Sequence, residues 1–536
     1  MKVTPDQFYN VHASEESVFN QFADVQIPKN PGMAPNGMNG AHQDSWCSES
    51  VPYHGPNGGR LRMIRKSNPY GFTPIMGCND AGQMIGMCHK FANQAKPSQF
   101  NLIVFDEDCE IISATPTGSS DSFTFAGGYF YLDDSFNAVV VGDGCVKCLP
   151  TGQTVEAGDT IKALEPLWTS ENIIELVNQK LGLDKNAPNV LYANLPYWET
   201  TNEAFLRTWC LMAGDFDKKN NVINTEASIA LVQIARDGSS TEVLAVQKCP
   251  KQWNNNTFAV TQSGAIFVTN GGRTTSSEDI AESYIWKVGA SMDTSAGGSG
   301  WSLNVEWKTA YDNCQLLKIG QTNIGSGTTP TVFDDGKQVA ITDNNNPRLQ
   351  VCVYDTSNGT IKSKTPVFPP MRGADEASLI GAGQYLVVEN NFGHATGSVL
   401  EPQKVANEPG MARLYSASKS TSKSTDGTPQ CPIQWESNES FLAMTMLCRK
   451  SGLIFATTGD WSSDNSAVDG AMYYMTCKDS YDGRIIWRLP MGVGRTFAHD
   501  YGGIYFHSSG DKLYVGTENY IVCVQNVDIP RKYVEL

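Results

Sequence analysis

The feature that most constrains this chain is a unit of three short apolar runs separated by turns, repeated along most of its length. The clearest copy runs Thr331-Val-Phe, an Asp-Asp-Gly turn, Gln338-Val-Ala-Ile-Thr-Asp343, an Asn-Asn-Asn-Pro turn, and Leu349-Gln-Val-Cys-Val-Tyr-Asp355. Another runs from Gly503 to His507, through Ser-Ser-Gly-Asp to Lys512–Glu518, and on to Tyr520–Gln525. Four to six β-formers bounded by Asn, Asp, Gly and Pro read as a strand, and three in succession read as a meander. Comparable units can be laid at roughly 73–114, 126–165, 190–249, 257–309, 328–368, 374–436, 441–490 and 497–527. Strand repeats of about 40 to 60 residues suit radially packed sheets, because a lone twisted sheet leaves both faces and its edges uncovered. The expected fold class is therefore all-β, a β-propeller of seven or eight four-stranded blades. The last unit shows three strands, so an early segment is expected to supply the fourth and close the ring.

Composition agrees with this reading. Charged residues are 18% and glycines number 49, as short strands joined by turns require. Residues 1–72, rich in Pro, Gly, Asn and Ser, read as an extended arm packing on a single propeller domain at 73–536. One helix is expected as an insertion near 167–184, with Ser170 as cap, Ile173, Ile174, Val177 and Leu181 on one face, and Gly182 as the stop. The Ser/Thr/Lys tract at 416–428 reads as a loop.

Acidic residues outnumber basic ones, 56 to 40, for a formal charge of −16. That field repels a phosphate backbone, and the short basic stretch Arg60, Arg62, Arg65 and Lys66 does not offset it, so no nucleic-acid partner is expected. No apolar run reaches the ~18 residues of a membrane span, so no membrane partner is expected either. The N-terminus lacks the apolar centre of a signal peptide, so the chain is expected to be either cytoplasmic, the favoured location, or an already processed secreted form. Most of the 14 cysteines lie singly in strand-like runs, as packed thiols would. The pair in Cys145-Val-Lys-Cys148 would point to opposite faces of a strand, which does not make a metal site.

Two stretches carry a family resemblance. Asp479-Ser-Tyr-Asp-Gly-Arg-Ile-Ile-Trp-Arg-Leu-Pro490, with Gly510-Asp-Lys-Leu-Tyr-Val-Gly-Thr-Glu-Asn519, resembles the repeat of quinoprotein-like (PQQ-binding-like) propellers. Val339-Ala-Ile-Thr-Asp-Asn344 followed by Arg348–Asp355 is similar to blades of gluconolactonase and regucalcin-type propellers, in which an Asp/Asn pair at a strand end faces the channel and can hold a divalent cation. The resemblance implies fold more strongly than reaction. PQQ itself is not expected, because a stacking tryptophan over adjacent cysteines cannot be assembled from Trp461, Trp487 and the scattered thiols.

Apolar strands repeatedly end in acidic or amide residues: Asp133-Asp134, Asn270, Asp343-Asn344, Glu389-Asn390-Asn391, Asp460 and Glu518-Asn519. Each could simply make an Asx turn. Collected at one end of a propeller, they would form an oxygen ring suited to Ca²⁺ or to a hydroxyl-rich molecule. Asp343, Asn344, Glu389, Asn390 and Asp460 are the expected ligands of a Ca²⁺ ion. His394 and Glu376 are the expected proton acceptors, with Ser378 near the second. His42, in His-Gln-Asp-Ser, and His499, in Phe-Ala-His-Asp, are further imidazoles able to act near neutral pH. Two functions stay open. One is a metal-assisted hydrolase, lactonase-like, acting on a small polar molecule in the central channel. The other is a non-catalytic scaffold whose rim binds a protein or peptide.

Overall fold

In a computed structural model the chain forms an all-β propeller of eight four-stranded blades. The structure describes residues 6–527 apart from 12–18, 41, 91–97, 121–127, 153–161, 201, 218–221, 255, 275–278, 294–299, 322–323, 394–407, 409, 418–422, 425, 442–443, 461–469 and 500–501. Blade 5 shows the pattern: Thr331–Phe333, Gln338–Thr342, Gln350–Asp355 and Ile361–Pro366 pair antiparallel in chain order. Alternation along these strands sends side chains both ways. Val339, Ile341, Cys352 and Tyr354 pack with Ile266, Val268, Ile285 and Trp307 of blade 4. Ala340, Val351 and Val353 pack with Leu386, Val388, Ala412 and Leu414 of blade 6. Each fully buried Val or Ile contributes roughly 1.5–3 kcal/mol, so the inter-blade seams form the core.

The ring closes as expected. Blade 8 contains Tyr505–Phe506, Lys512–Gly516 and Tyr520–Asn526, and Gly59–Ser67 completes it, running antiparallel from Leu61↔Asn526 to Ser67↔Tyr520. The strand Gln7–Val11 adds itself to the outer edge of Gly59–Ser67. The insertion helix is Ile173–Lys180. Its cap is Asn172, whose side chain accepts the Glu175 N–H, whereas the Ser170 hydroxyl accepts the Val146 N–H. Gly182 follows the helix at φ +72°, a left-handed geometry that glycine adopts readily. The 416–428 tract lies partly outside the described residues, as does Trp461.

Residues 30–51 are the part of the sequence that behaves least like a surface arm. Asn30 donates to Pro196 O at the end of the first strand of blade 3. Ala34 N–H reaches Leu132 O in blade 2, and Met38 O receives Cys78 N–H in blade 1. Ser45, Trp46, Ser48 and Glu49 carbonyls receive N–H groups of Val260, Val332, Gly381 and Leu447 in blades 4 to 7. The Gln43 amide donates to Ile504 O beside the first strand of blade 8. A stretch this short touches the innermost strands of all eight blades only by lying on the axis, so it plugs the channel. Its contacts at Leu132, Cys78 and Arg449 lie at the downstream ends of first strands, which shows that it enters and leaves from that end. Gly40 is required there, because a Cβ would lie 2.5 Å from Phe130 O.

Candidate functional site: the axial cluster above the plug

First strands begin, and second strands finish, at the end of the axis away from the plug's entrance. Five of the six strand-end groups do occupy that equivalent place: Asn270, Asp343, Glu389, Asp460 and Glu518 each close or follow a second strand. Asp133 instead follows a first strand, so it sits at the opposite end and closes a hairpin by accepting Ser135 and Asn137 N–H groups.

The structure does not bring the five expected Ca²⁺ ligands together. Asp343 is buried with both oxygens engaged, accepting the N–H groups of Asn345 and Gln350 at 3.0 and 2.8 Å and the Gln350 amide at 3.0 Å. Asn344 spans Gly325 O, Asp375 O and Asp375 N–H. Asn390 accepts Ala374 and Phe392 N–H groups and donates to Arg372 O. Asp460 is exposed and holds Tyr474 and Arg488. Asp343 and Asn390 thus make the Asx-type contacts that shaped loops require, each accepting the N–H two residues on, while Asn344 ties together loops distant in the chain. Only Glu389 remains turned to other chemistry, and no three His, Cys, Asp or Glu side chains among the described residues form a metal-ligand group. His394 lies outside the described residues.

What does converge is centred on the plug. His42 Nδ1 meets the Glu49 carboxylate in a close contact between two buried side chains, and Ser378 Oγ lies 3.2 Å from the same nitrogen. A carboxylate on Nδ1 favours an Nδ1–H donated to Glu49, with Nε2 on the far side of the ring from that contact. Nε2 is buried and has no hydrogen-bond partner among the described residues. The His42 ring lies 5.9 Å from the Tyr129 ring, and Tyr129 donates its hydroxyl to Asn256 at 2.8 Å.

Carboxylates surround this pair. Glu389 is buried at 3% exposure, and neither oxygen has a hydrogen-bond partner among the described residues. Burial first, then the neighbouring Asp375, push its pKa well above the usual carboxylate range; Glu49 adds to this, and Asn391 and Thr445 oppose it only in part. Burial likewise raises Asp375 well above its ordinary value, with Glu376 adding to the shift. Burial thus favours the protonated form of both carboxyls. Glu376 is half-buried and connects the cluster to solvent. It receives the Gln321 amide at 3.3 Å, and Gly327 leaves room for it, since a Cβ there would sit 2.4 Å from the carboxyl. Burial, then Glu376, raises the Tyr192 phenol.

Backbone strain marks the same place. His42, Gln43, Cys47 and Glu49 all have φ between +49° and +69°. Non-glycine residues in this region cost of order 1 kcal/mol each, and such strain collects where a geometry is needed for function. Sequence reading weighed His42, Glu376 and Ser378 but missed Glu49, Asp375 and Tyr129. The available signal was the run His42–Val51, which mixes Trp and Cys with polar residues at neither helical nor strand spacing. Such a run becomes ordered only when other elements bury it.

Comparison with known proteins follows from this geometry. No family model matches the chain, and no curated protein matches it. Among solved structures, a europium-containing methanol dehydrogenase superposes with a TM-score of 0.51 at 9% identity, covering 93% of this chain and 99% of its own. That likeness shows the propeller fold alone. A quinohemoprotein alcohol dehydrogenase from Comamonas testosteroni is also similar, with a TM-score of 0.49 at 10% identity, covering 96% of this chain and 84% of its own.

Of the groups weighed for a quinone cofactor, Trp461 lies outside the described residues. The sequence has no adjacent cysteines. Trp487 is spent between blades, donating to Pro56 O at 3.2 Å with its ring 5.9 Å from that of Phe455.

Proposed function

We propose that this quinoprotein-like propeller is a hydrolase of small polar esters or lactones, acting at the axial cluster above the plug. The observation that carries this reading is the buried His42–Glu49 pair, whose Nε2 is left without a partner. Nε2 would take a proton from water as the hydroxyl adds to the carbonyl carbon, with Glu49 stabilising the imidazolium. A protonated Glu389 would donate a hydrogen bond to the developing oxyanion, the use to which a carboxyl kept neutral by burial is suited. His42 would then return its proton to the leaving alkoxide, giving acid and alcohol.

Two measurements test this. Nitrogen-15 NMR of histidine-labelled protein at neutral pH should show His42 with a proton on Nδ1 and none on Nε2; a protonated, hydrogen-bonded Nε2 sinks the mechanism. In a screen of lactones and esters, His42→Gln and Glu49→Gln should lower turnover by about 10²–10⁴-fold without changing the melting temperature by more than a few degrees. The plug itself favours a second reading, a non-catalytic scaffold whose rim binds a protein or peptide, because it occupies the axis that a substrate would otherwise enter. Wild type and both variants equally inert in the screen would favour that reading.

A further inference from the structure

On the side of the propeller from which the plug enters, a groove of about 830 Å³ crosses blades 4 to 6. Its walls are turns following first strands, near Gln262 in blade 4, Asp334–Gln338 in blade 5 and Gln384 in blade 6, together with the blade 5 turn near Thr356. Trp46, on the plug, is part of its lining.

The chemistry of this groove is specific. Its three lysines are each paired: Lys287 with Glu306 at 2.8 Å, Lys337 with Asp335 at 3.2 Å and Lys362 with Asp355 at 2.8 Å. The remaining lining carboxylate, Asp334, accepts the Gln338 amide at 2.7 Å. With each of its lysines paired to a carboxylate, the groove offers no unpaired cation to an anionic ligand among the described residues. Four primary amides, those of Gln262, Gln338, Gln384 and Gln430, line it together with several hydroxyls. Two buried polar groups of the lining, the Trp46 indole N–H and the Thr356 hydroxyl, have no hydrogen-bond partner among the described residues. Buried donors without partners are costly unless something else satisfies them.

We propose that this groove binds a neutral, polyhydroxylated chain, an oligosaccharide. Planar amides donate and both amides and carboxylates accept across neighbouring hydroxyls, a groove lined from three blades has room for a chain of several rings, and pairing of each lining lysine disfavours an anionic one.

The test is isothermal titration of the full chain with neutral hexasaccharides (malto-, cello-, xylo- and chito-oligomers) up to about 10 mM, repeated with a Gln262→Ala, Gln430→Ala double variant. Gln262 is exposed and Gln430 half-exposed, so this variant should melt as wild type does. The expected result is saturable binding of at least one sugar, weakened roughly tenfold or more in the double variant. Absence of binding by every sugar, or binding unchanged in the variant, overturns the proposal. So does displacement of the sugar by sulfated oligosaccharide, or preferential capture of neutral peptides from an array, which would make the groove a peptide site. None of these readouts depends on His42, so failure here is distinct from failure of the proposed hydrolase.

Discussion

Replacing Asp343 by Asn should make the protein more stable at neutral pH and leave it nearly unchanged in mild acid. Asp343 is buried at 1% exposure in the loop after the second strand of blade 5. Burial raises its pKa from 3.8 to about 7, although two backbone N–H groups and the Gln350 amide pull it down. In the unfolded chain the carboxyl ionises near its ordinary value, so between about pH 4 and 7 the folded protein holds a proton that the unfolded chain has released. A carboxylate raised in this way contributes stability that is fully present below the unfolded pKa and lost as pH rises through the folded one. At about 1.4 kcal/mol per pH unit, the loss across that window is roughly 4 kcal/mol. The Asn variant keeps Oδ1 as acceptor for Asn345 and Gln350, and the Gln350 amide can turn to accept the new NH₂.

Unfolding entropy of about 2.1 cal/mol/K per residue makes roughly 4 kcal/mol worth about 3–4 °C in a chain of 536 residues. Calorimetry from pH 4.5 to 7.5 should show the melting difference between variant and wild type widening by that amount in favour of the variant. Asp44, raised to about 6 by burial, and the buried Asp375 and Glu389 titrate with the same sign in both proteins and drop out of the difference. A difference constant across pH, or one moving against the variant, would refute the reasoning. Adding Ca²⁺ gives an independent arm. An ion at 100 times its dissociation constant would stabilise a genuine site by about 2.7 kcal/mol, whereas the three internal hydrogen bonds of Asp343 predict no Asp343-dependent shift.

Three further outcomes follow from packing and closure. Deleting residues 1–67 removes Gly59–Ser67 from blade 8 and the axial plug, so the remainder should fail to give a cooperative melt, while deleting only residues 1–11, which include the outer strand Gln7–Val11, should lower the melting temperature by no more than a few degrees. Glu439→Gln leaves the fully buried Lys478 without its carboxylate and should cost about 3–5 kcal/mol by denaturant titration, whereas Lys478→Met, which removes the buried charge itself, should cost less. With a thiol reagent under native conditions, Cys145 and Cys314 should react quickly and the twelve buried thiols only on unfolding, a count read by absorbance.

Alternation and turn chemistry are local, and so the units, the strands within them and even the missing fourth strand of the last blade could be read from residues such as Thr331–Asp355 and Tyr520–Gln525. The helix was legible too, though its cap fell to Asn172 because the Ser170 hydroxyl is taken by Val146 N–H. The ends of strands were harder. Asp133 and Asp343 sit in similar sequence, yet one follows a first strand and the other a second, and antiparallel pairing sends them to opposite ends of the axis. Likewise Asn344, Glu389 and Asn390 read alike as oxygen ligands, but two of them are consumed by backbone groups of neighbouring loops, a fact set by contacts tens of residues distant. The plug shows the limit most plainly. By itself, the run His42–Val51 signals only polar residues, one tryptophan and one cysteine with no regular period. Its order, its left-handed residues and the meeting of His42 with Glu49 and Ser378 come from eight inner strands closing around it, and Ser378 lies 336 residues away in the chain. Local physics thus determined what the blades are, while closure of the ring decided which side chains meet at its centre.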